Sequence, residues 1–181
     1  MTTPPTVIVV AGVAGSGKTT IGALLAERLG WDYAEADRFH SEANIAKMRA
    51  GRPLDDADRL PWLTAITAWI DDRVATGRPG VVSCSALKRV YREVLGGCRP
   101  GVRMVMLDGD RDLIAARMRD RLGHFFSVEL LDSQFADLER PTPDDDVLTL
   151  STTNTPEETV TRILAAFDLQ AGDPSGTGAP G

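Results

Sequence analysis

Residues 12 to 19 read Gly12-Val13-Ala14-Gly15-Ser16-Gly17-Lys18-Thr19, between a β-branched run, Val7 to Val10, and a stretch with helical apolar spacing. Glycines here let the backbone curl so that successive N–H groups point inward, and at the positive end of a helix such a curl is a nest for anions. Lys18 is long enough to reach the β- and γ-phosphates of a nucleotide, and the Thr19 hydroxyl is of the kind that ligates Mg²⁺. The spacing is a complete Walker A pattern in the strand-to-helix context its chemistry needs. Gly12 through Thr19, with Thr20, is therefore the expected nucleotide-binding segment. The other reading is a Gly-rich turn that holds no nucleotide.

Working outward, Val7 to Val10 reads as a buried parallel strand, and Ile21, Leu24, Leu25 and Leu29 place apolar groups on one face of a helix that Gly30 stops. Further strands are expected at Trp31 to Ala36, Gly80 to Cys84, Val102 to Leu107 and Val147 to Leu150. Asp37 to Arg59 reads as a polar connection, and helices are expected over Pro61 to Val74 and Leu87 to Leu95. Asp110 should cap a helix to Leu122, and Ser127 another to about Leu138. Thr155-Pro156-Glu157-Glu158 combines a cap, a proline at the first helical position and a capping-box glutamate, which starts a last helix running to about Leu169. This alternation predicts an α/β fold: a P-loop NTPase-type doubly wound five-stranded parallel sheet with helices on both faces. Residues 1–170 form one expected domain. Residues 171–181 are too poor in apolar groups to order themselves and are expected to be a disordered tail.

Composition narrows the functions. The 181 residues carry a net charge of −6 from 26 acidic and 20 basic side chains, which argues against a dedicated nucleic-acid binder. The charge is unevenly spread: residues 132–181 hold 10 acidic and 2 basic side chains, so the remainder, which must hold any anion, is slightly basic. No apolar run approaches the roughly 18 residues that span a bilayer, and no secretory signal opens the chain, so a cytoplasmic location is expected. Cys84 and Cys98 are too few for a disulfide framework, and no Cys/His spacing resembles a zinc site. Lysine occurs only at 18, 47 and 88, against 17 arginines, and all three lysines fall inside motif segments.

The nucleotide loop does not by itself name the reaction. No Asn-Lys-x-Asp guanine reader is present. Met104 to Asp108 resembles an apolar strand ending in a carboxylate, but Asp108-Gly109-Asp110 reads better as a tight turn. The strand ending in Ser83-Cys84-Ser85 carries no carboxylate, and a small-molecule kinase fits best. Glu35 and Asp37 stand at the end of the second strand, where ligands of open α/β sheets bind, followed by His40. They are placed to hold Mg²⁺ through water and to accept a hydroxyl proton, or else form a solvated loop edge. Asn44, Lys47 and the stretch Gly51 to Leu63 mix charges with turn residues. Such a set suits a polyhydroxylated anion, with arginine for a carboxylate and aspartate for hydroxyls. A surface loop leading into a helix is the competing reading.

With these segments in view, the chain resembles the gluconate kinases of the P-loop type, the thermoresistant gluconokinases. The resemblance rests on Gly12 to Thr19, Asp37 with His40, Asn44 with Lys47-Met48, and Gly51 with Pro53-Leu54. It continues through Asp58-Arg59, Pro61-Trp62-Leu63, Ser83 to Lys88 with Tyr91-Arg92, Gly123-His124-Phe125-Phe126, Gln134-Phe135 and Leu138-Glu139. It implies ATP-dependent phosphorylation of D-gluconate to 6-phospho-D-gluconate by a homodimer, feeding the pentose phosphate or Entner-Doudoroff route. On the same ground Asp37 orients or deprotonates the attacking hydroxyl. His40, Lys47, Arg52, Asp58, Arg59, Lys88, Arg92 and His124 serve the acceptor, and Thr19 and Glu35 the metal. Family members commonly carry Asp where this chain has Glu35, which keeps the charge and lengthens the reach. Arg117 and Arg121, four apart before Gly123, look like arginines of a small helical lid over about 117–135 that join Lys18 around the transferring phosphoryl group, a solvated helix face being the other reading of the residues alone. Trp31, Trp62 and Trp69 read as core or interface residues. A shikimate or nucleoside monophosphate kinase, or a nucleotide-binding module without catalysis, are the alternatives.

Overall fold

The computed structural model describes residues 4–97, 99–123 and 127–172. Its centre is β1 (Val7–Ala11), fully buried, flanked by β3 (Gly80–Cys84) and β4 (Val102–Asp108), with β2 (Asp32–Glu35) and β5 (Val147–Ser151) at the edges. All pairings are parallel and the order is β2-β3-β1-β4-β5. Side chains alternate across such a sheet. Val7, Val9 and Ala11 face α3 (Asp56–Thr76) and α4 (Arg89–Leu95), meeting Trp62, Ile66, Ile70 and Leu95. Ile8 and Val10 face α1 (Lys18–Leu29) and α7 (Pro156–Ala166), meeting Leu25, Val160 and Ile163. Two cores thus sandwich the sheet, as the strand–helix alternation requires. Trp62 is core, whereas Trp31 and Trp69 pack half-buried at its margins.

A third apolar cluster lies above the carboxyl ends of the strands. There α5 (Arg111–Leu122) and α6 (Val128–Asp137) bring Ile114, Ala115, Met118 and Leu131 against Val13 of the nucleotide loop. Asp110 caps α5, accepting from Asp112 and Leu113, and Ser127 caps α6, as their sequence suggests. Gly30 ends α1 in the left-handed conformation. The capping box of Thr155 and Glu158 starts α7, which ends at Ala166, short of Leu169.

The connection between β2 and α3 departs from the expected polar loop. A 3₁₀ turn spans Ala36–Phe39, and α2 occupies Glu42–Arg49. Apolar spacing is nearly absent from α2; its start is set instead by the Ser41 hydroxyl, which accepts from Asn44 N at 3.2 Å. Likewise α3 begins at Asp56, five residues before Pro61, because Asp55 and Asp58 form a reciprocal capping box. Pro61 sits inside the helix at the cost of one backbone hydrogen bond. Lys88, expected within α4, is its N-cap, and the helix proper starts at Arg89. Gly172 N donates to the Arg28 carbonyl at 2.8 Å, so the start of the expected tail is joined to the end of α1. Cys98, His124, Phe125, Phe126 and residues 173–181 lie outside the described residues, with the expectations placed on them.

Candidate active site

Every element that supplies a site residue opens at the carboxyl edge of the sheet. β1 runs into the nucleotide loop, where Gly15 has φ 77° and Gly17, at the N-cap of α1, has φ 94°. Both angles lie where a side chain is strained. A Cβ on Gly15 would also stand 2.6 Å from Met118 Cγ, so α5 sits directly on the loop. Among the described residues the N–H groups of Gly15, Gly17, Lys18 and Thr19 make no hydrogen bond. The Ser16 hydroxyl is buried without a partner. These orphan donors at a helix start are what a phosphate chain satisfies.

Lys18 is the electrostatic hub. Desolvation pushes its ammonium below the ordinary lysine range, Asp37, Cys84 and Glu35 draw it back up, and Arg121 adds to the depression. Lys18, Glu35, Asp37 and Arg121 therefore share one field although they come from four segments. The Thr19 hydroxyl donates to Glu35 Oε1 at 2.5 Å. Tyr33 Oη and Ser83 Oγ lie 2.6 Å apart on neighbouring strands. Thr20 is exposed on the first turn of α1.

Beyond Asp37 the 3₁₀ turn leads to a polar wall. The His40 ring stacks on Trp62 with centroids 4.5 Å apart and planes 8° from parallel. Trp62 is itself anchored through Nε1 to the Ala36 carbonyl at 2.7 Å. Burial lowers the His40 pKa, opposed by Asp37 and assisted by Arg59. Asn44, 5% exposed, donates through Nδ2 to the Asp58 carbonyl at 2.8 Å and lies 3.4 Å from His40 Nδ1. Lys47 Nζ pairs with Asp58 at 2.7 Å, and that bond holds the Asp58 carboxyl below its usual range. The guanidinium of Arg52 makes no ion pair among the described residues.

A second network joins α3, α4 and α6. Lys88 Nζ reaches Asp56 at 3.1 Å, and Asp56 also accepts from the Tyr91 hydroxyl. Arg59 Nη1 donates to Tyr91 Oη at 3.2 Å and faces Asp137 of α6 at 3.4 Å. Arg92 stands apart from Lys88. It is 4% exposed, and its Nη1 donates to the carbonyls of Leu87 at 2.8 Å and Ala86 at 3.2 Å. Ala86 has φ 38°, so Arg92 braces a strained turn at the end of β3. The two arginines of α5 also differ: Arg117 donates to the Thr152 carbonyl at 2.6 Å, beyond β5, whereas the charge of Arg121 reaches Lys18. Asp108 ends β4 with its carboxylate accepting from Arg140 Nε at 3.1 Å. Asp108 is the last residue of the strand rather than part of a tight turn, and a Cβ on Gly109 would lie 2.0 Å from Thr152 Oγ1, so the close approach of Thr152 requires glycine there.

Tyr33 and Asp137 join these networks without having been singled out, and Asp56 and Tyr91, which fall in quoted segments, had been given no individual role. Their partners are 35 to 78 residues away in the pairs Tyr91 with Asp56 and Arg59 with Asp137, and no spacing announces such pairs.

The shikimate kinase family model matches residues 14–167. The chain is 42% identical over 166 residues to a gluconokinase of Gluconobacter oxydans, covering 92% of this chain and 93% of that one. A gluconokinase crystal structure from Sinorhizobium meliloti superposes with a TM-score of 0.82 at 40% identity, covering 93% of this chain and 94% of the other. An unliganded sugar kinase from Janibacter gives 0.83 at 45%, covering 92% and 96%. Likeness of this extent, in a chain whose Walker A loop joins β1 to α1, places it in the gluconokinase family, within the wider group that the shikimate kinase model describes.

Proposed function

We propose that the chain transfers the γ-phosphoryl group of ATP to the terminal hydroxyl of D-gluconate, giving 6-phospho-D-gluconate. The observation that carries this is the meeting of Lys18, Arg121 and Asp37 in one field, at the edge where His40, Asn44, Lys47 and Asp58 form a wall. Transfer between oxygens needs little covalent work from a protein, so position and charge do most of it. Lys18 and Arg121 offset the charge of the moving phosphoryl group. Asp37, exposed beside them, orients the attacking hydroxyl and takes its proton. Arg52, with no internal counter-ion among the described residues, suits the acceptor carboxylate. Lys47, Arg59 and Lys88 are each paired with an aspartate, and each keeps further N–H donors with which to meet a substrate anion beside Asp58, Asp137 or Asp56.

The oxygen donors of Thr19 and Glu35 suit a hard cation, and they are the residues that would hold Mg²⁺. When bound, the ion neutralises charge between the β- and γ-phosphates. The proposed setting is a cytoplasmic homodimer acting on small molecules, without nucleic acid or membrane. The net charge of −6 supports the absence of nucleic acid, and no described helix is long and apolar enough to cross a membrane. An assay coupled to ADP release, run with gluconate, shikimate and nucleoside monophosphates, tests the reading. ADP release with gluconate and accumulation of the 6-phosphate are expected. Tight ATP binding without transfer to any sugar acid would overturn it.

A further inference from the structure

The N–H groups of the nucleotide loop divide by partner. Gly12 N donates to the Ser85 carbonyl at 3.3 Å and Ser16 N to the Val13 carbonyl at 3.1 Å, while those of Val13, Gly15, Gly17, Lys18 and Thr19 make no hydrogen bond among the described residues and are free for phosphate oxygens. Ala14 belongs to neither set. Its N–H donates to Gln134 Oε1 at 2.6 Å, across 120 residues of sequence. Gln134 lies on α6, and among the described residues this is the one hydrogen bond between α6 and the loop. The remaining attachment is apolar: Leu131, fully buried, packs in one cluster with Val13, Ile114, Ala115 and Met118.

Apolar contact holds surfaces together without fixing their register, because it is non-directional. A hydrogen bond with a narrow range of angle and distance does fix it. We propose that Gln134 is a positioning residue for the nucleotide. By taking the Ala14 N–H it holds the loop in the curl that presents the remaining unpaired N–H groups. It also sets α6, and with it α5 and Arg121, at one height above the phosphates. Glutamine suits this task because it accepts a hydrogen bond without bringing negative charge to a site built for a polyanion. A glutamate would accept equally well and repel the triphosphate, and an asparagine would fall one methylene short.

The test compares Gln134→Met, which keeps the length and loses the acceptor, with Gln134→Glu, which keeps the acceptor and adds charge. Ser133→Ala, on the exposed side of α6, is the control. Measured are the KM for ATP, the KM for gluconate, the Kd for ATP by titration without acceptor, the thermal midpoint, and amide exchange of the 12–17 segment. Q134M should raise the KM and Kd for ATP about three- to tenfold, the worth of one such bond. It should leave the gluconate KM and the midpoint unchanged and speed exchange of the segment. Q134E should weaken ATP binding at least as much while exchange stays slow, and S133A should change nothing. Unchanged ATP affinity in Q134M despite fast exchange would overturn the proposal, as would equal rises in both KM values with a lowered midpoint. Should Q134M not fold, Q134E decides: weaker ATP binding with slow exchange supports the role, and unaltered binding removes it. Because the Kd is read without acceptor, the outcome does not depend on which sugar acid is phosphorylated.

Discussion

The Thr19 hydroxyl, at the start of α1, donates a 2.5 Å hydrogen bond to the carboxylate of Glu35 at the end of β2. The bond spans the mouth of the phosphate cradle and joins its last residue to a neighbouring crossover. The glutamate side chain is long enough to bring its carboxylate into contact with the threonine itself. Glu35→Gln keeps the shape and removes the charge. The Mg²⁺ concentration for half-maximal activity should rise on the order of tenfold, with metal-free ATP binding unchanged. A titration of rate against Mg²⁺ checks this, and an unaltered midpoint would detach Glu35 from the metal.

Lys18→Ala should leave the fold intact and lower turnover by at least about a hundredfold, since a preorganised charge on the transferring group is lost. Circular dichroism and the coupled assay together distinguish lost chemistry from lost structure.

Asp37 sits in the 3₁₀ turn, where its charge reaches both Lys18 and His40. Asp37→Asn should reduce kcat by about a hundredfold or more with little change in ATP affinity. Equal losses in kcat and ATP binding would assign the residue to holding the turn.

His40 has its pKa lowered mainly by burial against Trp62, so the unfolded chain takes up this proton at higher pH than the folded one. Its contribution to stability is therefore present above the unfolded value of 6.5 and is lost as pH falls through the depressed folded value. Thermal midpoints of the parent protein and His40→Gln should converge as pH is lowered from 7. A parallel pair of curves would show that His40 does not titrate differently in the two states.

Burial pushes the Cys84 thiol up to about 12, despite the nearby charge of Lys18. Its thiolate fraction at pH 8 is negligible. Peptide mapping after treatment with a thiol reagent should find Cys84 unmodified in the native protein and modified after denaturation. Native labelling would show that β3 opens more readily than its burial allows.

Much of the framework is local and was readable. The nucleotide loop needs glycine at set positions and a strand and helix on either side, all contiguous. The caps at Asp110, Ser127 and Thr155 act within three residues of themselves. Helix α2 and the early start of α3 were not readable from apolar spacing, because they are nucleated by side-chain caps in a polar stretch. Lys88 and Arg92 show the same limit. Four residues apart, they suggest one helical face, yet Lys88 lies outside the helix and Arg92 turns inward to two backbone carbonyls.

The chain by itself determined that a nucleotide loop joins β1 to α1, that strands and helices alternate, and that cationic and acidic groups gather in the segments following the strands. Those properties depend on neighbours in sequence, through backbone sterics, periodicity and capping. Only the tertiary structure decided which polar groups confront one another: Thr19 with Glu35, Lys47 with Asp58, Arg59 with Asp137, and Ala14 with Gln134. The physical reason is that the sheet order β2-β3-β1-β4-β5 brings the ends of separate crossovers within hydrogen-bond range. Whether a given arginine meets a phosphate, a carboxylate or a backbone carbonyl is settled at that range, by burial and distance.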